Sequence, residues 1–201
     1  MRLIINLILV GLIGALGYLL FYGIQEPISF GDAKKERVDA VTDRLKQVRY
    51  AQEFYRDITG RFASSFDSLR YVLENDSFTL VKIIGDPDDP TGSNFQRTEK
   101  KRSAKDSLAT LMANKDSKIR IVLDELELVP FGNGAKFAIK ADTLTYQKTL
   151  VNVTEVSTKW RTFMGEKYGD IKYARYDNTY DPDNILKFGD MSAPNLSGNW
   201  E

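Results

Sequence analysis

Hydrophobic and polar positions divide the chain into three patterns: an unbroken apolar run, a helical alternation, and a stretch of period two. From Leu3 to Ile24 the sequence reads LIINLILVGLIGALGYLLFYGI, without a charge and with Asn6 as its one strongly polar side chain. A helix needs about 20 such residues to cross the ~30 Å hydrocarbon layer of a bilayer, and it can cross because it satisfies its own backbone hydrogen bonds. The pattern predicts a transmembrane anchor over residues 1–24. Gly11, Gly14 and Gly17 recur every third residue, a stripe at which a second helix can approach closely in lipid. Tyr18 and Tyr22 stand toward the far end, where amphipathic aromatics favour the interface. Asn6 is expected to bond across helices or to sit near the headgroups. The competing reading is a cleaved signal peptide. Only Arg2 precedes the run, and the run exceeds the usual apolar core of such a peptide. An uncut anchor is the better expectation.

The next stretch, QEPISFG, contains Pro27 and Gly31, both poor inside a helix. It predicts a linker over residues 25–32, with Asp32 as the N-cap of a second helix. From Ala33 to about Ile58 the side chains Val38, Val41, Leu45, Val48, Gln52 and Tyr55 fall on one helical face. Charged residues occupy the other. The face either packs on its own domain or meets other subunits, although a polar Gln52 and so short a repeat make a weak coiled-coil signal. Thr59-Gly60 predicts the helix end. Ser64 or Ser65 then caps a short helix with Phe66, Leu69 and Leu73 turned inward.

FTLVKIIG from Phe78 predicts a strand, Asp86–Ser93 a solvated loop, and RTEKKRSAKD from Arg97 a solvated connector before a short helix at SLATLMAN. Beyond Ile119 the pattern has period two. IRIVLDELELVPF leads through Gly132-Asn133-Gly134 into AKFAIKADTLTY, a hairpin signal. In its second arm Phe137, Ile139 and Ala141 alternate with Lys136, Lys140 and Asp142. LVNVTEVSTKW supplies another strand, Ile171 to Tyr176 a short one, and the tail from Asp177 irregular structure. The fold class is therefore α+β: an N-terminal transmembrane helix, then a long amphipathic helix packed on a mixed or antiparallel sheet.

Charge and chemistry narrow the picture. The 28 basic and 28 acidic residues cancel, and no concentrated basic stretch points to nucleic acid. There is no Cys and no His, so disulfides, thiolate metal sites, a lipidated cysteine and the commonest general base and metal ligand are all absent. The sequence contains no phosphate-binding glycine loop, GxSxG, HExxH or CxxC, and no cofactor or metal is expected. Asp86, Asp88 and Asp89 lack the spacing of an EF-hand loop. Asp124, Glu125 and Glu127 are expected to face solvent from a strand. Asn152 and Asn195 match a glycosylation sequon, to which no role is given. Orientation follows from size more than charge, because Lys34, Lys35 and Arg37 lie beyond the anchor while a long domain is exported regardless of such charges.

Two resemblances follow from these residues. A membrane helix, a Pro soon after it, an amphipathic helix and QVRYAQEFYRDITGRFASSFDSL together resemble the first half of a type IV pilin or type II secretion pseudopilin. Pilins are cut after a Gly followed by an aromatic or Met, with a Glu five residues on; here Gly17-Tyr18 is followed by Gly23 and Ile24, and Glu26 comes later. Most of the chain is similar to a family of N-terminally anchored envelope proteins of Bacteroidetes-type bacteria. That similarity rests on KKERVDAVTDRLKQVRYAQ, TGRFASSFDSL, ELVPFGNGAKFAI and the closing GNWE. It implies an inner-membrane protein with a periplasmic α+β domain and brings no activity with it. The expectation is a non-enzymatic subunit of an envelope complex, with the Ala33–Ile58 helix lifting the domain off the membrane. Its partners would be lipid and other envelope proteins, with further copies of the chain among the candidates. A pilin-like filament component and an accessory subunit of a proton-driven motor are the alternatives.

Overall fold

The computed structural model describes residues 1–84, 96–113 and 120–201. One helix dominates. α1 runs without interruption from Arg2 to Thr59 and carries Pro27 inside it. Among the described residues it is the one helix long and apolar enough to cross a membrane. The expected break at residues 25–32, with Asp32 as a cap, is therefore absent. A proline in a helix interior removes one hydrogen bond and costs about 3 kcal/mol. Here strong helix-forming sequence lies on both sides, and Phe30, less than one turn beyond the proline, is 2 % exposed. Packing of that side chain outweighs the local preference.

The two halves of α1 have different surroundings. Residues 1–25 are exposed throughout, whereas Val41, Leu45, Val48, Ala51 and Gln52 are fully buried and Tyr55 nearly so. Val38 is half-buried against the same core. The predicted face of the second half is thus spent on the protein's own head domain. Gly60, at φ 79°, ends the helix, and its N–H returns to Arg56 O at 2.7 Å. A left-handed residue here satisfies an end carbonyl, and glycine adopts that conformation without steric cost.

α2 (Phe66–Asn75) begins at Ser65, whose side chain accepts from Ser68 N, and buries Phe66, Leu69 and Leu73 as expected. β1 (Ser77–Ile84) pairs antiparallel with β2 (Gln96–Ser103), with Ser77 opposite Ser103 and Ile84 opposite Gln96. The charged run read as a solvated connector is therefore mostly strand. The β-rich partner supplies the ladder that the run's own composition does not predict. α3 (Ala104–Ala113) follows directly and buries Ala104 and Leu108. The expected aspartate loop, with Asp86, Asp88 and Asp89, lies outside the described residues.

The remaining chain builds a three-stranded antiparallel sheet in the order β3–β4–β5, with β3 Ala138–Tyr146, β4 Thr149–Lys159 and β5 Ile185–Gly189. The stretch before β3 is not the strand that alternation suggested. It holds a 3-10 turn at Leu123–Glu125 and a single bridge, Leu128 to Lys136. Its buried side chains are Ile121, Leu126 and Val129, at spacings of five and three rather than two. The Gly132-Asn133-Gly134 loop closes only that one bridge. The true hairpin turn is Gln147-Lys148, both residues at positive φ (47° and 68°), between Tyr146 and Thr149. α4 (Trp160–Tyr168) follows β4. Ile171–Arg175 is a 3-10 turn rather than a strand, capped by Asp170, and the tail contributes β5 instead of remaining irregular throughout.

Candidate functional site

The place where the projecting half of α1 enters the head is the most elaborated part of the molecule. Its centre is Phe30. Tyr173 stacks on it at 4.9 Å and 13° between planes, and Tyr180 meets it edge-on at 5.1 Å. Tyr168 and Tyr176 close the ring at 5.9 and 6.4 Å. Offset and edge-on aromatic pairs contribute about 0.5–1.5 kcal/mol each beyond the area they bury. The Tyr180 hydroxyl donates to Tyr168 O at 2.6 Å, and burial pushes its pKa up to about 12.

Polar contacts bracket this cluster along the helix. One turn before Phe30, Glu26 accepts from the Tyr176 hydroxyl and from the Arg175 guanidinium, both at 2.9 Å. The tyrosine hydrogen bond, helped by the arginine charge, holds the Glu26 carboxyl below the usual carboxylate range. One turn after it, Lys34 donates to Asp177 and lies 5.3 Å over the Trp160 ring. Lys34, with Thr179, holds Asp177 down at about 2. Further on, Arg37 donates to the carbonyls of Phe163 and Met164 at 2.9 and 2.6 Å. Gly165 makes room for it. This residue is at φ 65°, and a Cβ here would lie 3.3 Å from the guanidinium. The head therefore begins within one turn of the apolar run and does not stand away from it on a helical spacer. That corrects the expected role of the Ala33–Ile58 helix.

The predicted membrane-packing residues lie apart from this junction. Asn6, Gly11, Gly14, Gly17, Tyr18 and Tyr22 are all exposed on the projecting half, and a Cβ at any of the three glycines would meet nothing within 4 Å. Tyr18 and Tyr22 touch each other at 4.7 Å. The stripe is open along its length. Gln52, read as a polar flaw in the buried face, is a cross-link: its amide donates to Ala63 O at 2.9 Å and accepts from Ala63 N at 2.8 Å.

Of the carboxylates expected to face solvent, Asp124 and Glu125 do so, at 82 % and 55 % exposed, and all three have partners. Arg44 pairs with Glu125 at 2.9 Å, Arg70 with Asp124 at 3.5 Å, and Lys136 with Glu127 at 2.9 Å. Glu127 is only 18 % exposed, which departs from the solvent-facing expectation because its chain is not a regular strand. A wide cleft of about 920 Å³ runs between Phe131 and α4. Its Arg161 is paired with Asp183 at 2.8 Å. Among the described residues no three His, Cys, Asp or Glu side chains converge as a metal site.

Sequence reasoning missed the junction because its two sides are far apart in the chain. The available signal was the density of tyrosines from Tyr168 to Tyr180, four in thirteen positions. Comparisons with protein families, with curated proteins and with solved structures give no match.

Proposed function

We propose that this chain is a single-pass inner-membrane protein with its head in the periplasm, serving as a non-enzymatic structural or accessory subunit of a multiprotein envelope complex. The observation that carries the reading is the continuity of α1, whose exposed apolar half passes without a break into the buried spine of the head. Membrane lipid takes the exposed half, since apolar side chains left in water over so long a helix cost about 25 cal/mol per Å². The open glycine stripe is the natural place for a partner helix. The well-paired charges of the head, and the absence of His and Cys, favour binding over catalysis.

A second reading, a pilin-like filament component, is supported by the same helix acting as both an apolar shaft and the spine behind an antiparallel sheet. An accessory role in a proton-driven motor rests on the anchor alone. One experiment tests the first reading and separates it from the others. Membranes from cells expressing the full chain are treated with protease from outside spheroplasts, and the protein is crosslinked and analysed by mass spectrometry. The proposal expects an intact Met1, a protease-sensitive head and crosslinks to other envelope proteins. A cut after Gly17 with crosslinks only between copies favours the filament. Full-length protein in the detergent-free soluble fraction overturns the membrane reading.

A further inference from the structure

At 1.5 Å per residue, Leu3–Ile24 measures about 33 Å, enough for the ~30 Å hydrocarbon layer. Glu26 to Ser29 then lie about 3–8 Å past its end, at the level of a headgroup layer roughly 5–8 Å thick. The fold brings one edge of the head to that level. Lys167 and Tyr168, from the end of α4, share a cavity of about 370 Å³ with Phe21, Tyr22 and Tyr173. Arg175 of the 3-10 turn reaches Glu26.

This edge has the chemistry of an interface. Lys167, Lys172 and Arg175 each lie over the ring of the tyrosine that follows them, at 4.7, 5.1 and 4.5 Å. Tyrosine with a neighbouring cation suits the boundary of a bilayer, where an apolar body and a charged tip are both satisfied. Between the lysines, Ile171 is 60 % exposed. The nearby acids are Glu26, Glu166 and Asp170. Glu26 is taken up by Tyr176 and Arg175, and Asp170 accepts from Lys172 N at 2.9 Å. Glu166 and Asp170 are exposed and line the wide cleft beside α4, whose rim Ile171 shares. Lys167 and Lys172 are left as the exposed cations of the edge.

We infer that this edge is a second membrane contact, in which Lys167 and Lys172 bind anionic lipid headgroups and Ile171 enters the interface between them. The inference rests on the anchor reading and holds for whichever side of the membrane the head occupies.

The chain has no cysteine, so single labels are clean. Full-length protein carrying Ile171→Cys, Leu150→Cys or Ile13→Cys is labelled with an environment-sensitive fluorophore. It is then reconstituted in vesicles of phosphatidylcholine with or without phosphatidylglycerol. Leu150 is the distal control, being 74 % exposed and next to the hairpin that meets Gly60 through Asn152. Expected is a blue-shifted Ile171 label, quenched by headgroup-level nitroxide lipid in anionic vesicles, beside a water-exposed Leu150 label. Lys167→Gln and Lys172→Gln should each lower the docked-to-free ratio about fivefold. An Ile171 label as wet as that at Leu150, or equal docking on neutral vesicles, overturns the contact while leaving the anchor intact. A wet label at Ile13 overturns the anchor itself, and the contact with it.

Discussion

The ring of Phe30 lies on that of Tyr173, with 4.9 Å between centroids and 13° between planes. Two residues more than a hundred positions apart thus fix where the apolar half of α1 stops and the head begins. Phe30→Ala empties the centre of the ring formed by Tyr168, Tyr173, Tyr176 and Tyr180. A buried Phe→Ala change costs about 3–5 kcal/mol, which for a domain of this size lowers the melting temperature by about 10 °C. Differential scanning calorimetry of the detergent-solubilised full chain reads it. Hydrogen exchange adds a local test: protection at residues 168–180 should fall more than protection in β3 and β4.

Gln52 and Ala63 make the only side-chain amide bridge described at the buried face of α1, and both partners are fully buried. Gln52→Leu strands an N–H and a C=O at Ala63, a loss of roughly 2–4 kcal/mol. Gln52→Glu is the informative companion. Only its protonated acid can donate to Ala63 O, and burial favours that neutral form, so the folded pKa is raised above the unfolded one. Its stability is then present at low pH and lost as pH rises through the folded value. Urea unfolding at mildly acidic and at alkaline pH should show the glutamate variant weakening with rising pH while the parent changes little in comparison.

Lys34 holds Asp177 at about 2, against 3.8 for an ordinary aspartate. A carboxyl whose folded pKa is depressed stabilises the fold above the unfolded value. That contribution disappears as pH falls from about 4 to about 2. The pair is about a quarter exposed, so solvent screening holds its worth near 1 kcal/mol. Asp177→Asn should therefore destabilise the head by about that amount at neutral pH and by progressively less in acid. The difference between the two acid-unfolding curves isolates this group from Glu26, Asp190 and Glu201, whose carboxyls are also held low.

Periodicity revealed what depends on one element and its own neighbours. The apolar run, the Val41–Tyr55 face, the Gly60 stop, the Ser65 cap and the alternation of β3 are all local statements, and each appears in the structure. What depends on distant partners did not show. Pro27 reads as a break until Phe30 is seen to be locked by Tyr173. Gln147-Lys148 carries none of the glycine or asparagine that marks a two-residue turn, so the pairing of β3 with β4 imposes it. The charged residues 97–103 form a strand only because β1 lies beside them. The junction was invisible for the same reason: Glu26 read as part of a linker, and Lys34 and Arg37 as ordinary exposed charges of a helix.

The closing GNWE performs a definite structural task, which gives a last prediction. β5 is an edge strand, and an uncovered edge invites pairing with other chains. Asn199 covers it: its side chain accepts from Lys187 N at 3.0 Å and donates to Ile185 O at 2.7 Å, while its own N–H donates to Lys187 O at 3.0 Å. Arg49 ties the same segment to α1 through Glu201 at 2.8 Å and Leu196 O at 3.2 Å. Asn199→Ala removes two of this residue's three bonds to the edge and should cost about 1–2 kcal/mol. The distinguishing consequence is association. Light scattering of the detergent-solubilised variant should rise with time and concentration, and Arg49→Gln, which loosens the segment but leaves Asn199 in place, should show the same trend more weakly. If the Asn199→Ala protein loses stability yet remains monodisperse, the asparagine is a packing residue and the edge is protected by something else.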